Sequence, residues 1–424
     1  MQFKLSVLLV TLVSIVAVSC SREPRAAGDG ATTAVSTPAW TVRVESVAAP
    51  AGPGTMLPRL TSSERGVIVS WLERSSAMSK LKFAERTPSG WSQPTTVASG
   101  DKWFLSYADP PTVLRRPDGS LLANWLLSTN PVYEGSDLQL SYSRDNGKTW
   151  AQPVVPHHDG TQQQHAFPSF FELPGNGLGV IWLDGRDVQP SEANPEGGPM
   201  ALRYAAYDAQ WKRTAEGVVD PRACECCSTS VAMTSDGVLT AFRDRSDKEI
   251  RDIAVTRLDN GKWTEPTRVH DDNWEIYACP VNGPIVSANG RNAVVAWFTV
   301  KDDKGQAWAA FSSDAGRSWG QPIRLDDGTS LGRVGVELLD DGSAVASWVE
   351  YADKRGQFKL RRIEPSGKRS DAVGVSAVAA TLAMDFPRMA RRGKELVLAW
   401  TERAAGDESD ASFQVHTAVA ALPE

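Results

Sequence analysis

Residues 344–350 read AVASWVE, a short apolar run that is centred on tryptophan and closed by glutamate. Similar segments occur six more times along the chain. Their central residues lie 51–60 positions apart and are Trp71, Trp125, Trp182, Phe242, Trp297, Trp348 and Trp400. A chain of 424 residues would normally suggest two or three domains. Repetition at a near-constant period instead indicates one repetitive fold.

Each repeat contains four short strand patterns separated by turns rich in Gly, Asp and Asn, such as PDG (117–119) and DDG (340–342). Helical periodicity of any length is absent. This pattern predicts an all-β protein, a β-propeller of seven four-stranded blades. The second strands are almost continuously apolar, as expected for strands that are covered on both faces.

The chain ends also bear on this fold. The seventh repeat leaves room for about three strands before Glu424, and WTVRVESV (40–47) is an additional strand before the first repeat. Because a propeller closes into a ring, we expect strand 40–47 to complete the last blade. The propeller should therefore span residues 40–424 as a single domain.

Two repeats contain a more specific motif. SRDNGKTW (143–150) and SSDAGRSW (312–319) both fit Ser-x-Asp-x-Gly-x-x-Trp, and both are followed by Gln-Pro. Degenerate versions occur at RTPSGW (86–91) and RLDNGKW (257–263). In such a turn the Ser and Asp side chains bond backbone amides, Gly adopts a positive φ, and Trp folds back under the blade. The motif resembles the Asp-box, or bacterial neuraminidase repeat, of the sialidase superfamily.

The resemblance implies an exported propeller with an exo-α-sialidase-like glycoside hydrolase activity. Sialidases usually have six blades, so six is the alternative to seven. They bind the substrate carboxylate with three arginines and use a tyrosine nucleophile, a glutamate base and an aspartate acid. In this chain the resemblance suggests Tyr277, Glu275 and Asp187 for the last three roles, with Asp109 as a second candidate for the acid. Leu57-Pro58-Arg59-Leu60 differs from the family's Phe/Tyr-Arg-Ile-Pro entry into the first blade.

The N-terminus predicts export. LSVLLVTLVSIVAV (5–18) is too short to span a membrane but suits a secretory signal, residues 1–19. It ends in Ala-Val-Ser-Cys, which resembles a bacterial lipoprotein box and predicts lipidation of Cys20. Residues 20–39 would be a flexible tether. Ser21 favours an outer-membrane lipoprotein of the cell envelope, facing the periplasm or the cell surface.

The charge of the chain limits its partners. The formal net charge is −6, which argues against nucleic acid. We expect a monomer that binds an anionic carbohydrate or an envelope protein and contacts the membrane through its lipid.

Strand order predicts which loops meet at the mouth of the ring. Loops between blades lie on the same face as loops between the second and third strands. Guanidinium groups that converge there suit a carboxylate, sulfate or phosphate. The predicted ligand-binding residues are Arg186, Arg243, Arg245, Arg333, Arg388 and Asn282. The alternative is that each arginine pairs with one of the acidic residues interleaved with it.

Four cysteines also fall at the mouth. Cys224, Cys226 and Cys227 begin the fourth blade and Cys279 begins the fifth, so they should be neighbours. Because exported proteins form disulfides, we expect no metal and a bond from Cys279 to Cys226 or Cys227. One alternative is a copper or zinc site formed by Cys226, Cys227 and Cys279 with His165 or His270. A catalytic cysteine is another.

Three functional hypotheses follow. The first is a lipid-anchored propeller that binds an anionic glycan or a partner protein at its mouth. The second is an exo-acting glycosidase on sialic-acid-like sugars. The third is a periplasmic protein that handles copper, zinc or redox equivalents.

Overall fold

The computed structural model describes residues 40–75, 78–130, 135–188, 198–380, 386–404 and 412–423. The predicted signal peptide, Cys20 and the tether lie outside these ranges. Residues Trp40–Glu424 form one compact unit. Within the described ranges, no helix has the length and apolar character that a membrane span requires.

The strands form seven antiparallel sheets, which we number as blades 1 to 7 in chain order. Strand β1 (Val44–Val47) precedes blade 1. The strands of blades 1 to 3 are β2 (Thr55–Ser62), β3 (Val67–Ser75), β4 (Met78–Thr87), β5 (Gly90–Trp91) and β6 (Thr95–Gly100); β7 (Thr112–Arg115), β8 (Leu121–Asn130) and β9 (Gly135–Ser143); and β10 (His165–Leu173), β11 (Gly177–Asp184), β12 (Met200–Tyr207) and β13 (Arg213–Ala223).

The strands of blades 4 to 7 are β14 (Ser230–Thr234), β15 (Gly237–Arg243), β16 (Ile253–Asp259), β17 (Lys262–Trp263) and β18 (Thr267–Arg268); β19 (Ile285–Asn289), β20 (Asn292–Lys301), β21 (Lys304–Ser312) and β22 (Ile323–Arg324); β23 (Thr329–Leu338), β24 (Ala344–Ala352), β25 (Arg355–Ile363) and β26 (Val373–Val378); and β27 (Arg388–Arg392), β28 (Glu395–Arg403) and β29 (Phe413–Ala421). A 3₁₀ turn (Pro174–Asn176) separates β10 from β11.

Each blade has four strand positions. In blades 1 and 4 the fourth position is divided between two short strands that both pair with the third strand. In blade 2 it is reduced to a bridge between Leu140 and Val154. The prediction of seven four-stranded blades is therefore confirmed, and the six-bladed alternative is wrong.

Strand β1 closes the ring. It pairs antiparallel with β29, with Val44 opposite Ala420 and Val47 opposite Thr417. Blade 7 thus has the order β27-β28-β29-β1, which combines the two ends of the described chain in one sheet. The predicted role of segment 40–47 is confirmed.

The tryptophans of the repeats are core residues, and the indole groups of several of them also have an acidic partner. The indole N–H of Trp182 donates to Asp184 at 2.8 Å, and that of Trp400 donates to Glu402 at 2.7 Å. Trp348 makes the same contact with the acid two positions later. A buried indole needs an acceptor, which explains why an acidic residue follows these tryptophans at the mouth end of the second strand.

The predicted Asp-box turns form as expected. The amide of Gly147 donates to Ser143 Oγ at 2.8 Å, and the amide of Thr149 donates to Asp145 Oδ1 at 2.9 Å. Gly147 has φ +85°, a conformation that favours glycine. The second motif, residues 312–319, repeats these contacts. Both turns connect third to fourth strands and so lie on the face opposite the mouth.

Candidate functional site

The first strand of several blades bends where it reaches the mouth. In β2 the register shifts between Met56 and Arg59, and Leu57 has φ +57°. Phe167 in β10 and Arg333 in β23 have φ +58° and +54°. Positive φ is uncommon for such residues, and bulges of this kind change the direction in which side chains point. The mouth is therefore built from irregular strand ends of successive blades.

The aromatic ring of Phe386 contacts two arginines from neighbouring blades. The guanidinium carbons of Arg333 and Arg388 each lie 5.6 Å from the centre of the Phe386 ring. The ring of Tyr107, from blade 2, lies 6.3 Å from that of Phe386. Contacts between a guanidinium and an aromatic face are favourable, more so away from water. Two of the six predicted ligand-binding residues are thus brought together at one ring.

A buried carboxyl group lies beside this pair. Asp109 accepts a 2.6 Å hydrogen bond from the amide of Phe167 and interacts with the charges of Arg59 and Arg388. Burial raises the pKa of Asp109 to about 6, although the Phe167 amide and the two arginines act in the opposite direction. Burial likewise lowers the pKa of Arg59. We define the mouth cluster as Arg59, Asp109, Arg333, Phe386 and Arg388.

Asn282 positions this cluster through the backbone. Its Oδ1 accepts a 2.8 Å hydrogen bond from the amide of Arg333, and its Nδ2 donates to the carbonyl of Pro280. Asp109 makes the corresponding contact with the amide of Phe167. In both cases a polar side chain of one blade holds the positive-φ residue of the next blade. Asn282, a predicted ligand-binding residue, therefore acts on Arg333 in this structure.

Arg186 is paired with acids of blade 3. It makes two hydrogen bonds to Asp184, at 2.8 and 2.7 Å, and lies 3.2 Å from Asp159. Its charge is therefore compensated by nearby acids, which agrees with the alternative prediction that the arginines pair with interleaved acidic residues.

Arg243 and Arg245 also bond to protein groups. Arg243 is buried and donates to the main-chain oxygens of Asn282, Arg251 and Phe298. Arg245 pairs with Glu225 at 2.8 Å and with Glu249 at 3.0 Å, and Arg251 contacts the same two acids. These arginines tie the loop 244–252 to the cysteine run.

The residues suggested for catalysis lie on different loops. Tyr277 is 76% exposed, and its hydroxyl bonds Glu275, which raises the pKa of Tyr277. Asp187 pairs with Arg203 of β12 at 3.3 Å and is largely exposed. The structure thus joins Tyr277 to Glu275, and it places Asp187 with a partner in blade 3. Their catalytic roles stay predictions.

The four cysteines form one cluster, as their positions predicted. The Sγ atoms of Cys224 and Cys227 are 3.2 Å apart, and those of Cys224 and Cys226 are 3.9 Å apart. Cys279 lies beside Cys226, and its thiol is 3.5 Å from Glu225. All four thiols are free. The structure therefore does not show the predicted disulfide from Cys279 to Cys226 or Cys227, although Cys279 and Cys226 are neighbours.

The thiols differ in their electrostatic environment. Burial raises the pKa of Cys224 to about 12. Burial also opposes ionisation of Cys227, but hydrogen bonds from Cys224 and Cys226 and the charge of Arg243 outweigh it and hold the pKa of Cys227 well below its usual range. Cys227 therefore ionises more readily than Cys224.

His165 does not join the cysteines. Its Nε2 contacts Asp159 at 2.9 Å, its Nδ1 contacts the carbonyl of Ser136 at 3.0 Å, and its ring stacks on His157. Both ring nitrogens of His165 thus have partners between blades 2 and 3, and the structure does not bring this histidine to the cysteines as the metal alternative had it.

Arg59 was not among the predicted site residues. Its tetrapeptide, Leu57-Pro58-Arg59-Leu60, differs from the sialidase entry motif, yet the bulge in β2 brings Arg59 to Asp109. The signal that identifies it is a repeated X-Pro-Arg at first strands, since Phe386-Pro387-Arg388 occupies the equivalent position in blade 7.

Sequence comparison relates the chain to a known protein class. It is 24% identical over 183 residues to a sialidase of Paraclostridium sordellii, which covers 42% of this chain and 41% of that protein. The chain thus matches about two-fifths of the length of this relative. No profile of a known protein family matches the chain.

Solved structures were compared with the chain at the level of the fold. The endosialidase of phage phi92 superposes with a TM-score of 0.50 at 8% identity, over 91% of this chain and 70% of the endosialidase. The Hadza microbial sialidase Hz136 gives a TM-score of 0.43 at 16% identity, over 69% of this chain and 63% of the sialidase. The resemblance to sialidases that the Asp-boxes indicated is confirmed, in sequence by one relative and in fold by the propeller.

Proposed function

We propose that the mouth cluster binds the carboxylate or sulfate group of an acidic sugar. The observation that carries this proposal is the convergence of Arg59, Arg333 and Arg388 from blades 1, 6 and 7 around Phe386 and Asp109. Guanidinium groups match paired anionic oxygens in shape and charge. The likeness to a sialidase sequence supports a sugar as the ligand.

The aromatic rings favour a sugar over a bare inorganic anion. The half-buried Tyr107 offers an apolar ring next to the cations, and the buried Phe386 packs behind it. A sugar acid presents carbon–hydrogen faces beside its carboxylate, so it would use both features. Asp109 offers an acceptor for a sugar hydroxyl when it is ionised and a donor when it is protonated.

Affinity should depend on pH through Asp109. Above pH 6 the carboxylate competes with an anionic ligand for Arg59 and Arg388. Below pH 6 this competition disappears as Asp109 takes up a proton. An acidic sugar should therefore bind more tightly at pH 5 than at pH 7.

Calorimetric titration with N-acetylneuraminic acid and with its uncharged methyl ester tests the proposal. We expect the acid to bind at least about tenfold more tightly than the ester, since a lost charge-assisted contact costs 1.4 kcal/mol or more, about a factor of ten. Arg388→Gln should remove that preference. Arg144→Gln is the matched control, because Arg144 is exposed in an Asp-box turn on the opposite face. Equal binding of acid and ester would contradict the proposal.

Hydrolysis of sialic-acid-like sugars is a second candidate, favoured by the pKa of Asp109 near 6. A carboxyl group of this kind can deliver a proton to a leaving group at neutral pH. Tyr277 and Glu275 remain the predicted nucleophile and base. Release of a fluorophore from an α-sialoside that is lost in both Asp109→Asn and Tyr277→Phe would establish hydrolysis. Absence of turnover between pH 4 and pH 8 would leave binding as the function.

The proposal places this propeller in the cell envelope, as a monomer anchored through a lipid on Cys20. The support is the apolar run 5–18 and the Ala-Val-Ser-Cys sequence that follows it. Labelling with a radioactive fatty acid should mark the wild-type chain and fail to mark Cys20→Ala. Equal labelling of both chains would contradict the anchor.

A further inference from the structure

None of the four cysteines belongs to the mouth cluster, to which the binding of an acidic sugar is assigned. Two neighbouring loops of the mouth build it, one from the end of β13 into blade 4 and one from blade 4 into blade 5. Cys224 and Cys227 are fully buried, and Cys226 and Cys279 are half-buried. Four free thiols thus lie close together at the mouth, an arrangement that can bind a metal ion.

The spacing of the sulfurs matches a metal centre. The Sγ atoms of Cys224, Cys226 and Cys227 all lie within 4.8 Å of one another. Cys279 lies within the same distance of Cys226 and of the Glu225 carboxylate. With metal–sulfur bonds of about 2.3 Å, sulfurs around a tetrahedral ion are about 3.8 Å apart, and around a trigonal ion about 4.0 Å. The observed separations of 3.2 and 3.9 Å need only small side-chain adjustments to enclose an ion.

The surrounding charges suit thiolates. Arg251 Nη1 lies 3.5 Å from the Sγ of Cys224. Arg243 donates its hydrogen bonds to main-chain oxygens, which carry no formal charge. Its positive charge is therefore not neutralised by these partners and favours a thiolate at Cys227. A set of three or four thiolates around one ion carries a net negative charge, and the buried guanidinium group of Arg243 offsets part of it. Arg251 also lies next to Cys224, but it shares its charge with Glu225 and Glu249.

We propose that Cys224, Cys226, Cys227 and Cys279 form a binding site for a thiophilic metal ion, Cu(I) or Zn(II). Thiolate sulfur is the ligand that both ions prefer, and the hard ions Mg²⁺ and Ca²⁺ take oxygen ligands instead. The three sulfurs of the Cys224–Cys227 run form the core of the site. Cys279 adds a fourth ligand from the next blade, so a bound ion would also join blades 4 and 5.

The test is to load the full chain without oxygen, in one arm with Cu(I) and in the other with Zn(II). We expect one ion per chain after desalting, and X-ray absorption should show three or four sulfur neighbours at about 2.3 Å. Retention of only Cu(I) or only Zn(II) shows that the site selects that metal, and retention of either metal shows a general thiophilic site. Less than about 0.1 ion per chain in both arms, or a shell of nitrogen and oxygen only, would overturn the proposal.

Two variants and one protection experiment sharpen the result. Cys227→Ser should lower metal retention at least tenfold, whereas His270→Ala, which removes an exposed imidazole bonded to Asp272, should retain it. If Cys227→Ser does not fold, the wild-type protein still decides the question, because a bound ion should protect Cys226 and Cys279 from iodoacetamide. Unchanged alkylation in the presence of the ion would refute the site. So would a protein that is isolated with two disulfides and binds no ion after these are reduced.

Discussion

Burial of Asp109 in the ring changes the pKa of its carboxyl group. It is 8% exposed, and its pKa of about 6 compares with 3.8 for an unperturbed aspartate. Between those two values the folded chain holds a proton that the unfolded chain has released. Stability contributed by this carboxyl is therefore complete at low pH and is lost as pH rises through about 6.

Substitution of this residue should change the pH dependence of stability. Asp109→Asn cannot ionise, and its side-chain oxygen can still accept from the Phe167 amide. A shift of about two units corresponds to about 3 kcal/mol, so Asp109→Asn should gain up to that amount relative to wild type between pH 4 and pH 7.5. Urea unfolding at both pH values measures it. Asp187→Asn, at an exposed site, is the control, and an equal gain in both variants would contradict the account.

At the scale of elements, the Asp-box turn depends on glycine for two separate reasons. Gly147 has φ +85°, and a Cβ there would lie 2.8 Å from the ring of Phe83 in blade 1. Gly119, in the β7–β8 hairpin, has the same φ but open space where its Cβ would be. Substitution of Gly119 therefore tests backbone strain alone, whereas substitution of Gly147 tests backbone strain together with packing between blades.

Gly119→Ala should therefore cost about 1 kcal/mol of unfolding free energy, from the left-handed backbone alone. Gly147→Ala should cost about 1–3 kcal/mol more, because the methyl group must displace the Phe83 ring. Chemical denaturation of the two variants measures the difference. Equal losses would show that the turn does not pack against the neighbouring blade as described.

The elements that the sequence predicted are those defined by local patterns. The Asp-boxes form because Ser143, Asp145 and Gly147 interact within one turn, and the cysteines meet because the repeat period places Cys279 one blade after Cys226. The partner of each arginine was not predictable, since acids of several loops compete for it. Arg59 was not predicted because its position depends on a bulge, which the sequence marks only by the X-Pro-Arg that recurs at Arg388.

At the scale of the whole molecule, ring closure relies on strand β1. Val42 and Trp40 pack with the core of blades 6 and 7, and β1 covers the edge of β29. An uncovered strand edge destabilises a propeller and invites self-association.

Truncation tests this closure with a matched pair of chains. A chain that begins at Ala48 lacks β1, whereas one that begins at Trp40 retains it. Burial of Val42 alone is worth about 1.5–3 kcal/mol, which for a domain of this size lowers Tm by about 2–4 °C, and loss of the whole segment should lower it further. Size-exclusion chromatography should show the shorter chain self-associating at its open edge. Equal Tm values and elution volumes would refute closure by this strand.

The central claim is that the closed ring brings arginines from its first and last blades to one ligand. A double-mutant cycle of Arg59→Gln and Arg388→Gln, read out as the affinity for N-acetylneuraminic acid, tests it directly. If both guanidinium groups hold the same carboxylate, the two losses should deviate from additivity by more than about 0.5 kcal/mol. Losses that add within about 0.3 kcal/mol would place the two arginines at separate sites and contradict the claim.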